Sequence, residues 1–393
     1  MNNLSRPRSR LRVGIIKVQK AVVNTAFLCL TKTMANRVFL PILQRAALMQ
    51  AKGKLAPTAI CLTLLMVVLL PMLGSCDERS SDKTAKVVLY CSVDQTYAEQ
   101  IIPEFERQTG IKVLVRFDTE ATKTAGLVQK IRAEAASPLA DVFWSSEVFY
   151  TIRLAHESLL APYSSEKTKT WPATFADAKG RWYGFALRAR VIAYNTNRLG
   201  PGDAPKTLED TLKPGWKGRL VMADPGFGTT GGDVASWFVH YGPDRANEIL
   251  LALRRNDVRL VEGNSTVVKM VATGQADIGF TDSDDVYAAQ RNGWPVAMNY
   301  LDQGGDGPLA IPNTAAVING APHPKQARRL MDFLLSERLE EMLAQSDSHN
   351  APIHPAVAER FKEYAIGKTL EIDYEKIAEQ LPEAIRTARG ILR

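Results

Sequence analysis

The body of this chain reads as an α/β fold built in two parts. Short apolar runs rich in Val, Ile and aromatic residues alternate with amphipathic helical stretches from residue 87 onward, the pattern of a sheet covered by helices. The alternation restarts after Trp182-Tyr183-Gly184-Phe185, and 393 residues, 46% of them hydrophobic, exceed what one compact core holds.

The first strand is Val87-Val88-Leu89-Tyr90-Cys91-Ser92. A helix follows from about 95 to 108, with Ile101, Ile102 and Phe105 at helical spacing, and Gly110 stops it. Residues 111–117 are strand-like, 120–136 helical, and Ala140-Asp141-Val142-Phe143-Trp144 is a third strand. Val191-Ile192-Ala193-Tyr194-Asn195 is a strand crossing into the second part, with Pro201-Gly202 and Pro214-Gly215 marking loops beyond it. Next come a strand at 219–223, helices at about 232–240 and 243–255, a strand at 258–261, a helix at 265–273 and a strand at 277–280. Residues 296–300 and 314–318 are strands leading back, and helices at 324–335 and 337–345 close the body. On this reading residues 86–185 and 301–393 form one lobe and residues 186–300 the other.

Residues 1–75 read as an N-terminal extension and export signal. Residues 55–73 are uncharged and mostly apolar, and Lys52 and Lys54 precede them, as in a secretory signal. Leu73-Gly74-Ser75-Cys76 resembles a bacterial lipobox, which implies acylation of the Cys76 thiol and a lipidated tether over 76–85. An uncleaved spanning helix is the competing reading, since ~20 apolar residues cross a bilayer. Pro71, the lipobox and the polar run Asp77-Glu78-Arg79-Ser80-Ser81-Asp82 favour cleavage. Residues 1–48 are long and basic for the front of a signal, which points to translation starting at Met49.

The formal net charge of +7 belongs to that leader. Eleven of the 49 basic residues and none of the 42 acidic ones precede Cys76, leaving a body with a net charge near −4. The basic total is therefore no argument for nucleic-acid binding, and the acidic body suits a cationic or neutral ligand. Of four cysteines only Cys91 lies in the folded body, which excludes a disulfide framework or multi-thiolate metal site within it. His156, His240, His323, His349 and His354 show no HxH or HExxH spacing, and no GxSxG elbow occurs, so the sequence offers no catalytic constellation.

Several phrases carry a family resemblance in their order: Leu89-Tyr90, Phe105-Glu106-Arg107-Gln108-Thr109-Gly110-Ile111-Lys112-Val113, Ala140-Asp141-Val142-Phe143-Trp144-Ser145, Ser158-Leu159-Leu160-Ala161-Pro162 and Pro322-His323-Pro324. Over about residues 86–355 the chain resembles the iron(III)-type branch of the periplasmic solute-binding proteins of ABC importers. The resemblance implies the two-lobed periplasmic-binding-protein fold of type II, with crossing hinge strands and a central ligand cleft. It implies a monomer at the periplasmic or cell-surface face, held by its lipid anchor alone, that delivers a small ligand to an ABC permease and its ATPase. No tightly bound cofactor is implied. The transported ligand is Fe(III) or another hard cation, with carbonate or phosphate as a companion anion. Closure is then a hinge motion stabilised by ligand contacts to both lobes.

Ligand loops of open α/β sheets gather at the carboxyl ends of strands. There the sequence places Asp94, Glu147 and the run Thr281-Asp282-Ser283-Asp284-Asp285, all hard oxygen donors. Ferric-binding members carry two adjacent tyrosines in the last of these loops, and Asp284 and Asp285 occupy those positions here. Asp94 stands in the first-strand loop, where some members have a histidine ligand, and Glu147 lies within one residue of the family's acidic ligand. The resemblance therefore implies a metal set of Asp94, Glu147, Asp284 and Asp285, with Asp282 beside it. Helix capping is the competing reading for the aspartates, and a surface helix position for Glu147.

Gly226-Phe227-Gly228-Thr229-Thr230-Gly231 is a GxGxxG that follows a strand and opens a helix. Export argues against a nucleotide cofactor, and Gly232 stands where a P-loop needs lysine. Free N–H groups at the helix start, with the Thr229 and Thr230 hydroxyls, suit an anion instead. The matching loop in ferric-binding relatives holds the synergistic anion, which implies the same role for Thr229, Thr230 and Gly231; a plain tight turn is the alternative. Arg188 and Arg190 at the crossover either neutralise that anion or bridge the lobes. Trp144, Tyr150, Tyr183 and Tyr194 are candidates to line the cleft, Tyr97 or Tyr287 to supply a phenolate, and Ser346, Ser348 and Asn350 resemble a cleft-edge loop. The same cleft also suits a phosphorylated or carboxylated organic solute, such as a sugar phosphate or phosphonate. The same fold also serves ligand-sensing partners of membrane receptors.

Overall fold

The computed structural model describes residues 85–119 and 122–393. The signal, the lipobox with Cys76 and the tether up to residue 84 lie outside the described residues, as do positions 120 and 121. Among the described residues no helix is long and apolar enough to cross a membrane.

The first half opens with β1 (Lys86–Cys91), α1 (Gln95–Thr109), β2 (Lys112–Phe117), α2 (Ala125–Ala133), β3 (Val142–Ser145), α3 (Phe149–His156) and the short β4 (Leu160–Ala161). Apolar spacing explains α1: Tyr97, Ala98, Ile101, Ile102 and Phe105 are its buried face, and Gly110, at φ 68°, ends it in the left-handed conformation that glycine adopts without steric cost. β5 (Tyr183–Asn195) then runs 13 residues, eight more than the crossing strand expected at 191–195, because its near-continuous burial leaves no alternation to mark where it begins.

The second half comprises α4 (Leu208–Thr211), β6 (Leu220–Ala223), α5 (Gly228–Tyr241), α6 (Pro243–Arg255), β7 (Arg259–Val261), α7 (Asn264–Ala272), β8 (Ile278–Asp282), α8 (Ser283–Arg291) and β9 (Val296–Asn299). β10 (Ala310–Ile318), α9 (Pro324–Leu334), α10 (Glu337–Gln345), α11 (Pro355–Arg360) and α12 (Tyr374–Leu392) complete the chain.

The strands follow one path, β2-β1-β3-β10-β5-β8-β6-β7, with β4 on β10 and β9 on β5. β1, β2 and β3 are mutually parallel, as are β6, β7 and β8, whereas β5 and β10 run antiparallel to their neighbours. β5 joins the halves: residues up to Ala189 pair with β10, and Arg190 to Tyr194 pair with β8. Arg188 and Arg190 therefore sit where the strand leaves one half-sheet and enters the other.

α9 and α10 pack on the first half, whereas α12 lies against α5 and α6 of the second half as well as α3 of the first. Its apolar stripe, Ile377, Leu381, Ala384, Ala388 and Leu392, is buried, each Leu or Ile adding roughly 1.5–3 kcal/mol. Polar contacts fix both ends: His156 Nε2 lies 2.6 Å from Glu375 Oε2, and Arg389 Nε donates to Asp224 Oδ1 at 2.6 Å.

Candidate ligand cleft

Loops at the carboxyl ends of β1, β3, β6, β7 and β8 converge beside the two hinge arginines. β8 delivers Asp282, the N-cap residue of α8, whose carboxylate makes no capping bond. It is instead held inside the second half: Arg190 Nη1 donates to Oδ1 at 2.7 Å, and Thr229 Oγ1 and Asn264 Nδ2 donate to Oδ2 at 2.6 and 2.9 Å. Arg190 Nε also donates to Asp233 Oδ2 at 3.0 Å.

Asp284 and Asp285 occupy the first turn of α8, where the helix dipole favours negative charge. Arg188 Nη1 donates to Asp284 Oδ2 at 2.7 Å, and its Nη2 donates to the Ser146 carbonyl at 2.5 Å, tying α8 to the end of β3. The Asp285 carboxylate accepts no hydrogen bond among the described residues and lines a narrow cleft of roughly 380 Å³ with Lys123, Arg188, Thr229 and Asn264. Carboxylate oxygens of Asp282, Asp284 and Asp285 lie within 4.8 Å of one another.

Burial raises the Asp284 carboxyl to about 6, against the pull of Arg188 and with added repulsion from Asp282 and Asp94. Burial and the Asp284 charge hold Asp285 well above the ordinary carboxylate range, although Lys123 pulls it down. Across the cleft Asp94 pairs with Lys123. Burial works against the Asp94 charge too, but the charge and hydrogen bond of Lys123, then Arg188, bring its pKa below the ordinary value.

The structure thus groups Asp284 and Asp285 with Asp282, sets Asp94 opposite them, and uses Glu147 elsewhere. Glu147 is fully buried, not a surface helix residue, and its Oε2 accepts the Phe149 and Tyr150 N–H groups at 2.6 and 3.1 Å, capping α3. Burial pushes its carboxyl up to about 7 despite those bonds. The cap reading of Asp94 holds for its backbone position at the start of α1 and not for its side chain, which makes no capping bond.

The glycine-threonine motif forms the first turn of α5, which begins at Gly228 rather than near 232. The Thr229 hydroxyl is committed to Asp282, and the Thr230 hydroxyl lies 3.3 Å from Asn264 Oδ1, so these side chains brace the site. Gly231 is required by space: a Cβ there would meet the Pro225 carbonyl oxygen at 2.5 Å. Arg190 reaches Asp233 and Asp282 within one half, whereas Arg188 bridges the halves.

Among the aromatic candidates, Trp144, Tyr183 and Tyr194 are core residues and Tyr150 is half-buried on α3. Tyr97 is buried near Asp284, Asp94 and Asp285, and burial followed by their charges raises its phenol. The Tyr287 hydroxyl lies 3.3 Å from that of Tyr300. Ser346 and Ser348 bond each other at 2.7 Å, and Asn350 Oδ1 accepts from Asn313 Nδ2 at 3.4 Å beside the hinge. Lys123, Asp233 and Asn264 escaped sequence reasoning. Asn264 had a signal, because it opens a helix directly after a strand; Lys123, in the irregular stretch before α2, had none.

The halves touch at the cleft through the Gly228 N–H, which donates to the Lys123 carbonyl at 3.3 Å, and through Phe149 of α3 packed on Gly232 of α5.

The profile of the family described as "Bacterial extracellular solute-binding protein" matches residues 87–346. The chain belongs to that family. Members are binding proteins rather than enzymes. The chain is 25% identical over 298 residues, 74% of it and 83% of the relative, to the Fe(3+)-binding periplasmic protein of Serratia marcescens. It is 27% identical over 273 residues, 67% of it and 74% of the relative, to iron uptake protein A1 of a Synechocystis species. The iron-bound structure of HitA from Pseudomonas aeruginosa superposes with a TM-score of 0.69 at 27% identity, over 78% of this chain and 99% of that one. This solute-binding protein therefore has the two-lobed type II fold, with β5 crossing between its half-sheets.

Proposed function

We propose that this protein is the solute-binding component of an ABC importer, lipid-anchored at Cys76 outside the cytoplasm, and that it captures ferric iron or another hard metal cation for its permease. The observation that carries the reading is the Asp285 carboxylate, half-buried beside the buried Asp282 and Asp284, with no hydrogen-bond donor of its own among the described residues. A crowded carboxylate whose charge is disfavoured gains most from a bound cation, and oxygen donors at this spacing suit a hard one. The iron-binding names of the relatives point the same way.

A companion anion, or an organic phosphate or carboxylate as the ligand itself, is favoured by a different observation. Arg188 Nε and Arg190 Nη2 are buried and form no hydrogen bond among the described residues. Titration of the metal-stripped full chain in detergent with Mn(II), Ca(II), Fe(III)-citrate, orthophosphate and hexose phosphates, followed by calorimetry and melting temperature, separates these readings. Binding of a cation that is lost in Asp285→Asn supports the proposal; binding of organic phosphates alone overturns it. Cys76→Ser, which should leave the protein out of the membrane fraction, tests the anchor.

A further inference from the structure

Lys123 comes from the irregular segment between β2 and α2, yet its side chain is only 19% exposed and lines the ligand cleft together with Asp285. It pairs with Asp94 of its own half, and its own carbonyl accepts the Gly228 N–H, so its backbone is anchored to the opposite half. Five buried or half-buried carboxylates, Asp94, Asp233, Asp282, Asp284 and Asp285, face three cations, Lys123, Arg188 and Arg190. Arg190 is shared by Asp233 and Asp282, Arg188 serves Asp284 and Lys123 serves Asp94, which leaves these described groups, fully ionised, at net −2. Glu147 caps α3, and Glu262 stands exposed at the rim, where solvent screens it.

The arginines are fixed by bonds on β5, within the sheet. Lys123 differs in place: its ammonium, itself paired, stands at the cleft wall that Asp285 also lines, where a cation bound to Asp285 would meet its charge. We infer that Lys123 is a specificity-determining residue that lowers the cleft's preference for a trivalent over a divalent hard cation. This deepens the cation reading of the same cleft and rests on it. The mechanism is elementary: with Lys123 the ionised cluster offers −2, without it −3, and each added unit of ligand charge meets the ammonium's repulsion at close range.

The test uses Ca(II) and Tb(III), ions of similar radius and oxygen preference that differ in charge. Both are titrated by calorimetry into the metal-stripped full chain, wild type, Lys123→Gln and Lys123→Arg. The expected result is that Lys123→Gln binds both ions more tightly and raises the Tb(III)-over-Ca(II) affinity ratio by about tenfold or more, equivalent to 1.4 kcal/mol. Lys123→Arg, which keeps the charge, should retain the wild-type ratio. If wild type binds neither ion, the cation reading itself fails. If wild type binds them and Lys123→Gln leaves the ratio unchanged or weakens both, the inference alone is overturned. A loss of cation affinity in Lys123→Gln seen only with orthophosphate present makes Lys123 the partner of an anion and likewise overturns it.

Discussion

Replacing Gly232 by alanine puts a methyl group where the two halves meet. A Cβ at this position would stand 2.7 Å from Phe149 Cζ and closer still to Cε2 and Cδ2, against the 3.5–4.0 Å that carbon atoms prefer. The ring has little room to retreat, since Phe149 is 1% exposed and packs against Tyr374 with 6.2 Å between centroids. Overpacking of this kind costs about 1–3 kcal/mol. Separation of the halves removes the clash, so the cost falls on the closed, ligand-bound state. Helix propensity acts in the opposite direction, favouring Ala over Gly within α5 by about 0.8–1 kcal/mol whether the cleft is open or closed. Gly232→Ala should therefore weaken ligand affinity by roughly 5- to 150-fold while leaving the ligand-free melting temperature unchanged or slightly higher. Calorimetric titration beside thermal unfolding reads both quantities. Adding Phe149→Leu, which removes Cε2 and Cζ, should recover most of the affinity. Unchanged affinity in Gly232→Ala would refute the view that this contact belongs to the closed state.

Other consequences follow from the charges. Asp285→Asn should raise the ligand-free melting temperature at pH 7, by removing a half-buried charge and its repulsion of Asp284, while weakening cation binding about a hundredfold (~2.8 kcal/mol); a lower melting temperature in calorimetry would contradict it. Asp284 has a folded value near 6 against an ordinary 3.8, so its contribution to ligand-free stability is full below pH 3.8 and is lost as pH rises through 6. Urea unfolding of wild type and Asp284→Asn between pH 4 and 7.5 should show that difference, and cation affinity should fall about tenfold per pH unit below 6 for each proton displaced. Arg188→Met leaves Asp284 buried without its partner and removes the bond to the Ser146 carbonyl; a loss of about 3–5 kcal/mol in urea unfolding is expected.

Much of the fold was legible because its signals are local. α1 and α6 announce themselves through apolar spacing and their ends, and α6 spans the residues expected, 243–255. The start of α5 was misplaced because Gly228, Gly231 and Gly232 have poor helix propensity; tertiary contacts overrule it, notably the close approach of Phe149 to Gly232. β5 and β10 were read too short because strands buried on both faces lack the alternation that marks a half-exposed strand. The site was half legible. The rule that ligand loops follow strands located Asp94, the glycine-threonine turn and the run from Asp282 to Asp285. The same rule gave no way to tell a carboxylate that faces the cleft from one that caps a helix, so Glu147 looked equivalent to Asp285.

By itself, then, the sequence determined the alternation of strands and helices and the places where polar groups gather. These depend on neighbours a few residues apart. Only the tertiary structure decided which charges meet. Arg188 finds Asp284 across 96 residues, Arg190 finds Asp282 across 92, and Lys123 finds Asp94 across 29. Electrostatic pairing depends on distance in space and on burial, and neither is written in local periodicity. The resulting balance, two arginines fixed at the hinge, a lysine at the cleft wall and Asp285 left over, is therefore a property of the folded chain alone.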